Sequence, residues 1–304
     1  MEHRKIRIGT RGSGLALAQV ELFKQALTVT DADVEPEIVV ITTTGDRLQQ
    51  RDAKPDTLTK AVFTKELEEA LLAGEIDVAI HSAKDLPVEM PDGLVIGGVL
   101  SRAPVNDVLV ARAPLGEIVA KKNPRIVTGS ARRRRQWLEQ YPGTEFVTIR
   151  GNLDTRVRKL REHPEWDGVI LAQAGLERLR PDLGGLAVSI LPTAFIKPAP
   201  GQGAIAIQCA ADRHELSRCL RMLTHRPSLA RLRAERALSR AIGGGCHAPL
   251  GALARIYDGV CLHLSAVHYA DGERAGQRAR ITGSALRAAE LGQELARRML
   301  ARES

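Results

Sequence analysis

Short apolar runs that end in a Gly, Ser or Asn turn and lead directly into a helix-forming stretch recur along this 304-residue chain, and that recurrence restricts the fold most. Ile6-Arg7-Ile8 precedes the turn Gly9 to Gly14 and a helical stretch from Leu15 to Leu27. Arg125 to Thr128 precedes Ser130 and a helix to Tyr141. Glu145 to Ile149 precedes Asn152 and a helix to about Arg161, and Gly168 to Ala172 precedes another helix. Strands linked through helices pair in parallel, so the pattern predicts a parallel or mixed sheet with helices on both faces. Further elements of this α/β part are a strand from Glu37 to Thr42, a helix from Phe63 to Leu72 and a strand from Asp77 to His81.

After Arg226-Pro227 the order changes. A helix to about Ala241 precedes a Gly-rich loop, then strands near Gly251 to Tyr257 and Val260 to His268 joined at Asp258-Gly259. A third strand, Arg278 to Thr282, and a C-terminal helix follow. Sequential strands with flanking helices predict a small α+β domain. No apolar run approaches the eighteen or so residues of a membrane span, and Leu15 to Ala18 is too short for a signal-peptide core, so a cytoplasmic protein is expected. The four Cys form no C-x-x-C pair and read as reduced thiols.

Charge is concentrated. Between Lys121 and Arg161 twelve Lys or Arg face three acids, an excess larger than the +8 of the whole chain. Such a field implies an anionic partner. Ser130 is a good N-cap, which sets Arg132 to Arg135 in the first turns of a helix, where the macrodipole disfavours cations and a bound anion compensates. The alternative is a solvated arginine face. Arg150-Gly151-Asn152 with Arg156, and Thr10-Arg11-Gly12-Ser13-Gly14, repeat the arrangement at strand-to-helix turns, where α/β ligands bind. None has the glycine spacing of a nucleotide fingerprint. Nine aromatics, with only Trp137 inside the arginine run, make a nucleic-acid stacking platform unfavoured.

Two further segments carry chemistry. In His81-Ser82-Ala83-Lys84-Asp85, the Asp85 carboxylate stands among donors and cations, able to hold N–H groups or steady a cation, or else to serve as a turn residue before Leu86-Pro87. In Gly243-Gly244-Gly245-Cys246-His247-Ala248-Pro249, a thiol on a glycine loop reads as a nucleophile or attachment point. No zinc spacing supports a metal site, and none is expected.

Taken in order, these pieces resemble the hydroxymethylbilane synthase, or porphobilinogen deaminase, family. The resemblance runs through Ile8-Gly9-Thr10-Arg11-Gly12-Ser13, Phe63-Thr64-Lys65-Glu66-Leu67, Ala79 to Pro87, Ser130-Ala131-Arg132-Arg133, Arg150 to Arg156, Pro200-Gly201-Gln202-Gly203-Ala204 and Gly244 to Pro249. It implies a cytoplasmic transferase of tetrapyrrole and heme synthesis. Such an enzyme joins four porphobilinogen molecules head to tail with release of ammonia, giving the linear hydroxymethylbilane. It also implies a dipyrromethane primer held covalently by a cysteine, here Cys246. By position, Asp85 matches the catalytic residue, which engages pyrrole N–H groups and stabilises the azafulvene cation left when ammonia departs. Arg11, Arg132, Arg133, Arg150 and Arg156 match carboxylate-binding arginines, with Ser13, Ser82, Lys84, Thr128 and Ser130 as supporting donors and Lys60 and Gln202 in the same set.

The implied fold is two α/β domains like those of bilobal solute-binding proteins around a cleft, plus a small α+β C-terminal domain. The mapped domains are 1–100 with 201–220, 105–197, and 224–304 carrying Cys246. A monomer with porphobilinogen as its small-molecule partner, and neither nucleic acid nor membrane, is expected. The chain departs from the family where Asp56 to Val62 replaces a glycine-rich stretch, where Gly129 stands inside Thr128-Gly129-Ser130, and where Arg134 and Arg135 extend the arginine pair. Those two extra cations read as surface charge. A non-catalytic bilobal anion binder would explain the arginine turns but gives Cys246 no task.

Overall fold

The computed structural model describes residues 4–30, 34–50, 60–243, 249–270 and 275–301, without the side chains of Arg4, Gln49, Gln50, Lys60 and Ala61. The chain divides into two compact units, residues 1–103 with 204–232 and residues 104–203 with 233–304.

The first unit is built on a five-stranded sheet whose spatial order is β2 (Val34–Val40), β1 (Arg4–Thr10), β3 (Val78–Ser82), β10 (Ile205–Ala210) and β4 (Leu94–Val99). β1 is parallel to β2 and β3, whereas β10 is antiparallel to both its neighbours. Alternate residues of β3 serve opposite faces. Val78 and Ile80 pack with Val20, Phe23 and Leu27 of α1 (Gly14–Thr30) and Leu216 and Leu220 of α8 (His214–Leu223), while Ala79 joins Leu67 and Leu71 of α3 (Lys65–Leu72). A strand covered on both faces is apolar throughout, which is why Val78-Ala79-Ile80 shows no polar alternation. Because β1 and β3 run parallel, the turns after Thr10 and after Ser82 leave from the same edge of the sheet.

The second unit repeats this plan. Its sheet has the order β7 (Glu145–Val147), β6 (Arg125–Val127), β8 (Gly168–Ala172), β5 (Asp107–Ala111) and β9 (Ala187–Leu191), with β6, β7 and β8 parallel and β5 antiparallel to both neighbours. The antiparallel inner strand of each sheet is the first that the chain forms after crossing over from the other unit, β5 after Ala103 and β10 on the return after Gly203. Leu109 and Ala111 of β5 pack with Ile118 of α4 (Leu115–Ala120) and Trp137 of α5 (Ala131–Gln140). Val108 and Val110 pack with Val157 and Leu160 of α6 (Leu153–Glu162). α7 (Gln173–Leu179) follows β8.

The expected α+β segment is an antiparallel meander of β11 (Leu250–Tyr257), β12 (Cys261–His268) and β13 (Gln277–Ser284), with α10 (Ala288–Leu300) after it. Asp258 and Gly259, at φ of 51° and 72°, are the central residues of the turn that the Asp-Gly pair predicts, closed by Val260 N–H donating to Tyr257 O at 3.3 Å. Tyr257 pairs with Cys261, so Val260, expected in the strand, is a third loop residue. α9 (Arg226–Ile242) spans the boundary between the units, and its second half meets α10 so closely that a Cβ at Gly292 would stand 2.3 Å from Ala234 O. This third sheet belongs to the second unit, tied to it by Ala252 N–H donating to Pro198 O at 2.9 Å.

β4, β5, β9, α4, α8 and α2 (Thr44–Gln50) have no counterpart in the sequence-based expectation, whereas β10 is the strand expected from Ala204 to Gln208. Two glycines interrupt the apolar run of β4, β9 is an edge strand, and α2 is polar along its length. Each depends on partners distant in the chain more than on a local pattern.

Candidate active site

In the first unit, Arg11 follows β1 and lies against Asp46, with Nε donating to Oδ1 at 3.1 Å and Nη2 to Oδ1 at 2.5 Å. Its guanidinium carbon stands 4.5 Å over the Phe63 ring. Asp46 is itself fixed by Thr43, whose Oγ1 and N–H donate to Oδ2 at 2.7 and 3.1 Å, while the Asp46 N–H donates back to Thr43 Oγ1 at 3.2 Å. This reciprocal pair is a capping box that starts α2. Burial works against charge on Asp46, but the hydrogen bonds from Arg11 and Thr43 outweigh it and hold the carboxyl below its ordinary range.

Ser13 caps the next helix, its Oγ accepting from Ala16 N–H at 3.3 Å, and Ser82 Oγ accepts from Gln19 Nε2 at 2.7 Å. After β3, Ala83 N–H donates to Ala204 O at 3.0 Å and Asp85 N–H to Ser82 O at 2.9 Å, so a short turn anchored on the sheet carries Lys84 and Asp85. Lys84 is partly buried. Asp85 is exposed, and its carboxylate accepts no hydrogen bond from the described residues. Behind it His81 is buried, and desolvation lowers its pKa to about 4, so the ring is neutral near pH 7. Lys60 opens a 3-10 turn that ends at Phe63, and its side chain lies outside the described part.

In the second unit the two N-caps read from the sequence are present. Ser130 Oγ accepts from Arg133 N–H, and Asn152 Oδ1 accepts from Thr155 N–H at 2.9 Å. Thr128 is buried, with Oγ1 accepting from Ser130 N–H at 3.2 Å. Gly151 has φ +107°, and a Cβ there would meet Thr155 at 2.7 Å, so glycine is required at this turn. Arg156 Nε donates to Gly151 O at 2.9 Å, and Arg150 is partly buried at the same turn.

Arg132 and Arg133 are differently placed from an outward-facing pair. Both are buried and converge on Asp107, at 2.8 Å from Arg132 Nη1 and 2.7 Å from Arg133 Nη2. Arg133 Nη1 also donates to Ile170 O at 2.7 Å and Arg132 Nη1 to Lys197 O at 2.6 Å. Burial opposes ionisation of Asp107, yet the attraction of the two guanidinium groups keeps its carboxyl far below the ordinary range. Gln202, also buried, donates to Asp107 Oδ1 at 3.0 Å and to Val105 O at 2.7 Å. Arg134 is exposed, and Trp137 is wholly in the core.

Cys246 lies outside the described residues. Four residues with evident roles escaped the sequence reading. Asp46 had a signal, since Thr43-x-x-Asp46 is a capping spacing. Gln19 stands on a buried helix face where an apolar residue is usual. Asp107 and Arg178 had none. Arg178 donates from Nη2 to Gly203 O at 2.8 Å, and its buried Nε has no partner among the described residues. Each set by itself supplies donors and cations suited to carboxylates, and the first adds one exposed acid suited to steadying a positive charge.

Residues 6–218 match the family described as porphobilinogen deaminase, dipyromethane cofactor binding domain, and residues 229–301 match porphobilinogen deaminase, C-terminal domain. The chain is 40% identical to the porphobilinogen deaminase of Thermus thermophilus over 304 residues, 98% of this chain and 96% of that protein. It is 41% identical to that of Desulforudis audaxviator (98% and 94% covered) and 38% identical to that of Trichlorobacter lovleyi (99% and 95%). Among solved structures, the periplasmic VFT2 domain of Bordetella pertussis BvgS is similar over 73% of this chain and 87% of its own, at 14% identity and a TM-score of 0.42.

Proposed function

Because the chain belongs to the porphobilinogen deaminase family, we propose a working assignment of its residues to the chemistry of that family. The protein is a transferase of tetrapyrrole synthesis that joins four porphobilinogen molecules head to tail with release of ammonia, on a dipyrromethane cofactor, giving hydroxymethylbilane. The observation that carries this conclusion is the family match across residues 6–218 and 229–301.

The donor set fits such a cofactor. Pyrroles with acetate and propionate arms need cations and hydroxyls, and the buried Nε of Arg178 is a donor without an acceptor among the described residues. We assign the covalent attachment to Cys246. When bound, the cofactor supplies a nucleophilic pyrrole carbon to which the first substrate unit is joined. Arg11, Arg150 and Arg156 hold carboxylate arms, with Ser13, Ser82, Lys84, Thr128, Ser130 and Lys60 as further donors. Asp46 keeps Arg11 aligned. Arg132 and Arg133, with one of their two charges cancelled by Asp107, add positive potential behind the Thr128 to Ser130 turn, and Gln202 fixes Asp107.

Asp85 is assigned the catalytic role. As the amine of porphobilinogen leaves as ammonia, positive charge develops over the ring and its nitrogen, and a carboxylate beside that N–H stabilises it most where the charge appears. Its exposure in this structure leaves both oxygens accessible to a substrate N–H. The assignment includes the three domains 1–100 with 201–220, 105–197 and 224–304. It also includes a cytoplasmic monomer and the lack of a nucleic-acid partner, of which only the last is supported by the burial of Trp137. No helix among the described residues is long and apolar enough to cross a membrane.

Intact mass under denaturing conditions tests the attachment. Protein incubated with porphobilinogen is expected to carry a dipyrromethane increment that Cys246→Ser lacks. An increment retained by the variant would move the attachment elsewhere, and neither increment nor ammonia release from the unsubstituted protein would overturn the activity.

A further inference from the structure

The third sheet carries a cluster of cations that the assignment above does not use. Directly opposed residues of antiparallel strands share a face, so the register sets Arg255 beside His263, His263 beside Thr282, and Ser265 beside Arg280. The other face of β12, with Leu262, Leu264 and Ala266, is buried. Lys197 reaches onto the cation-bearing face from the segment after β9, its Nζ donating to Ser265 Oγ at 3.0 Å. Gly251 makes room for that approach, since a Cβ there would stand 2.9 Å from Lys197 O. From the same segment Thr193 Oγ1 accepts from Arg255 Nη2 at 3.0 Å.

Among the described residues, carboxylates do not balance the cations of this face. Glu139, the carboxylate that reaches it, is taken up by Arg278 and by Gly276 N–H. Lys197, Arg255 and Arg280 have no carboxylate partner among the described residues, and His263 has no hydrogen-bond partner among them. Burial and then the cations Arg255 and Arg278 push the Lys197 ammonium below its ordinary pKa. Burial, Arg280, Lys197 and Arg255 do the same to His263. Cations held together by hydroxyl anchors and backbone register, against their mutual repulsion, are a preorganised anion receptor.

We propose that this face binds a small anion of two or more charges, phosphate or a polycarboxylate, through Lys197, Arg255 and Arg280, with Ser265 and Thr282 as hydroxyl donors. One negative charge would leave most of the positive charge of Lys197, Arg255 and Arg280 unbalanced. Arginine also favours oxyanions with paired oxygens.

The test follows the His263 imidazole by NMR, its signal identified by loss in His263→Gln, during titration of the full chain with inorganic phosphate at constant ionic strength. A saturable shift is expected. In Arg280→Gln and in Lys197→Met the affinity is expected to fall about tenfold, the size of one lost charge-assisted hydrogen bond. Arg280 is exposed on the sheet, so its variant remains informative should Lys197→Met fail to fold. Citrate in place of phosphate separates the two sources, the tighter binder naming the class. A linear shift equal to that with chloride, or a saturable shift unchanged in both variants, would overturn the proposal.

Discussion

Arg133 and Asp107 form an ion pair in the interior of the second unit, Nη2 to Oδ1 at 2.7 Å, with side-chain exposures of 7% and 0%. Arg132 meets the other carboxylate oxygen. Two guanidinium groups therefore depend on one acid. Asp107→Asn keeps the shape and removes the charge, leaving both cations buried without compensation. A loss of about 3–5 kcal/mol of stability is expected, read from the urea midpoint. An unchanged midpoint would mean that solvent, not Asp107, neutralises the pair.

Asp46 both caps α2 and aligns Arg11. Asp46→Ala is expected to cost about 1 kcal/mol through the lost cap. It should also raise KM for porphobilinogen more than it lowers kcat, because Arg11 is then free to turn. A KM equal to that of the unsubstituted protein would separate Arg11 from substrate binding.

Asp85 is exposed and makes no side-chain hydrogen bond with the described residues, so Asp85→Asn should leave stability within about 0.5 kcal/mol. Turnover should fall by about a hundredfold to a thousandfold, the effect of removing one group that stabilises developing charge. Ammonia release and the thermal midpoint measure the two. Near-normal release would remove Asp85 from the catalytic role.

Arg134 and Arg150 make a contrast. Arg134 is exposed on α5, and Arg134→Ala should leave kcat/KM within about twofold. Arg150 is partly buried at its turn, and Arg150→Ala should lower kcat/KM by about tenfold or more. Equal effects at both positions would point to a diffuse field instead of a placed contact.

His81 gives a pH dependence. Its pKa is lowered from 6.5 to about 4 in the fold, chiefly by burial, while the unfolded chain keeps the ordinary value. As pH falls from 6.5 toward 4 the unfolded state takes up a proton that the folded state refuses, so stability drops over that window, by about 3 kcal/mol in total. Unfolding at several pH values should show that slope, and His81→Gln should flatten it. A slope unchanged in the variant would assign the window to other groups.

Much of this was legible in the chain because it is local. Ser130 and Asn152 were readable as caps since a side-chain oxygen reaches N–H groups only two or three residues on. Asp258-Gly259 was readable as a hairpin turn because its left-handed backbone suits those residue types. The arginine turns and Asp85 were proposed from motif resemblance. Asp107 was not, since an acid at the start of a short apolar strand carries no mark of the two guanidinium groups that reach it. Nor did anything near Lys197 announce Ser265, which lies 68 residues away.

The sequence by itself determined where strands turn into helices, because alternation, caps and glycine turns act within a few residues. The tertiary structure decided which charges are neutralised and which face water. Arg132 and Arg133 stand in the same run as Arg134, yet the first two are buried on Asp107 and the third is exposed. Helix periodicity sets their directions, but the counter-ion comes from β5 and the burial from the sheet. The electrostatic worth of a charge depends on that distant partner and on the water excluded around it.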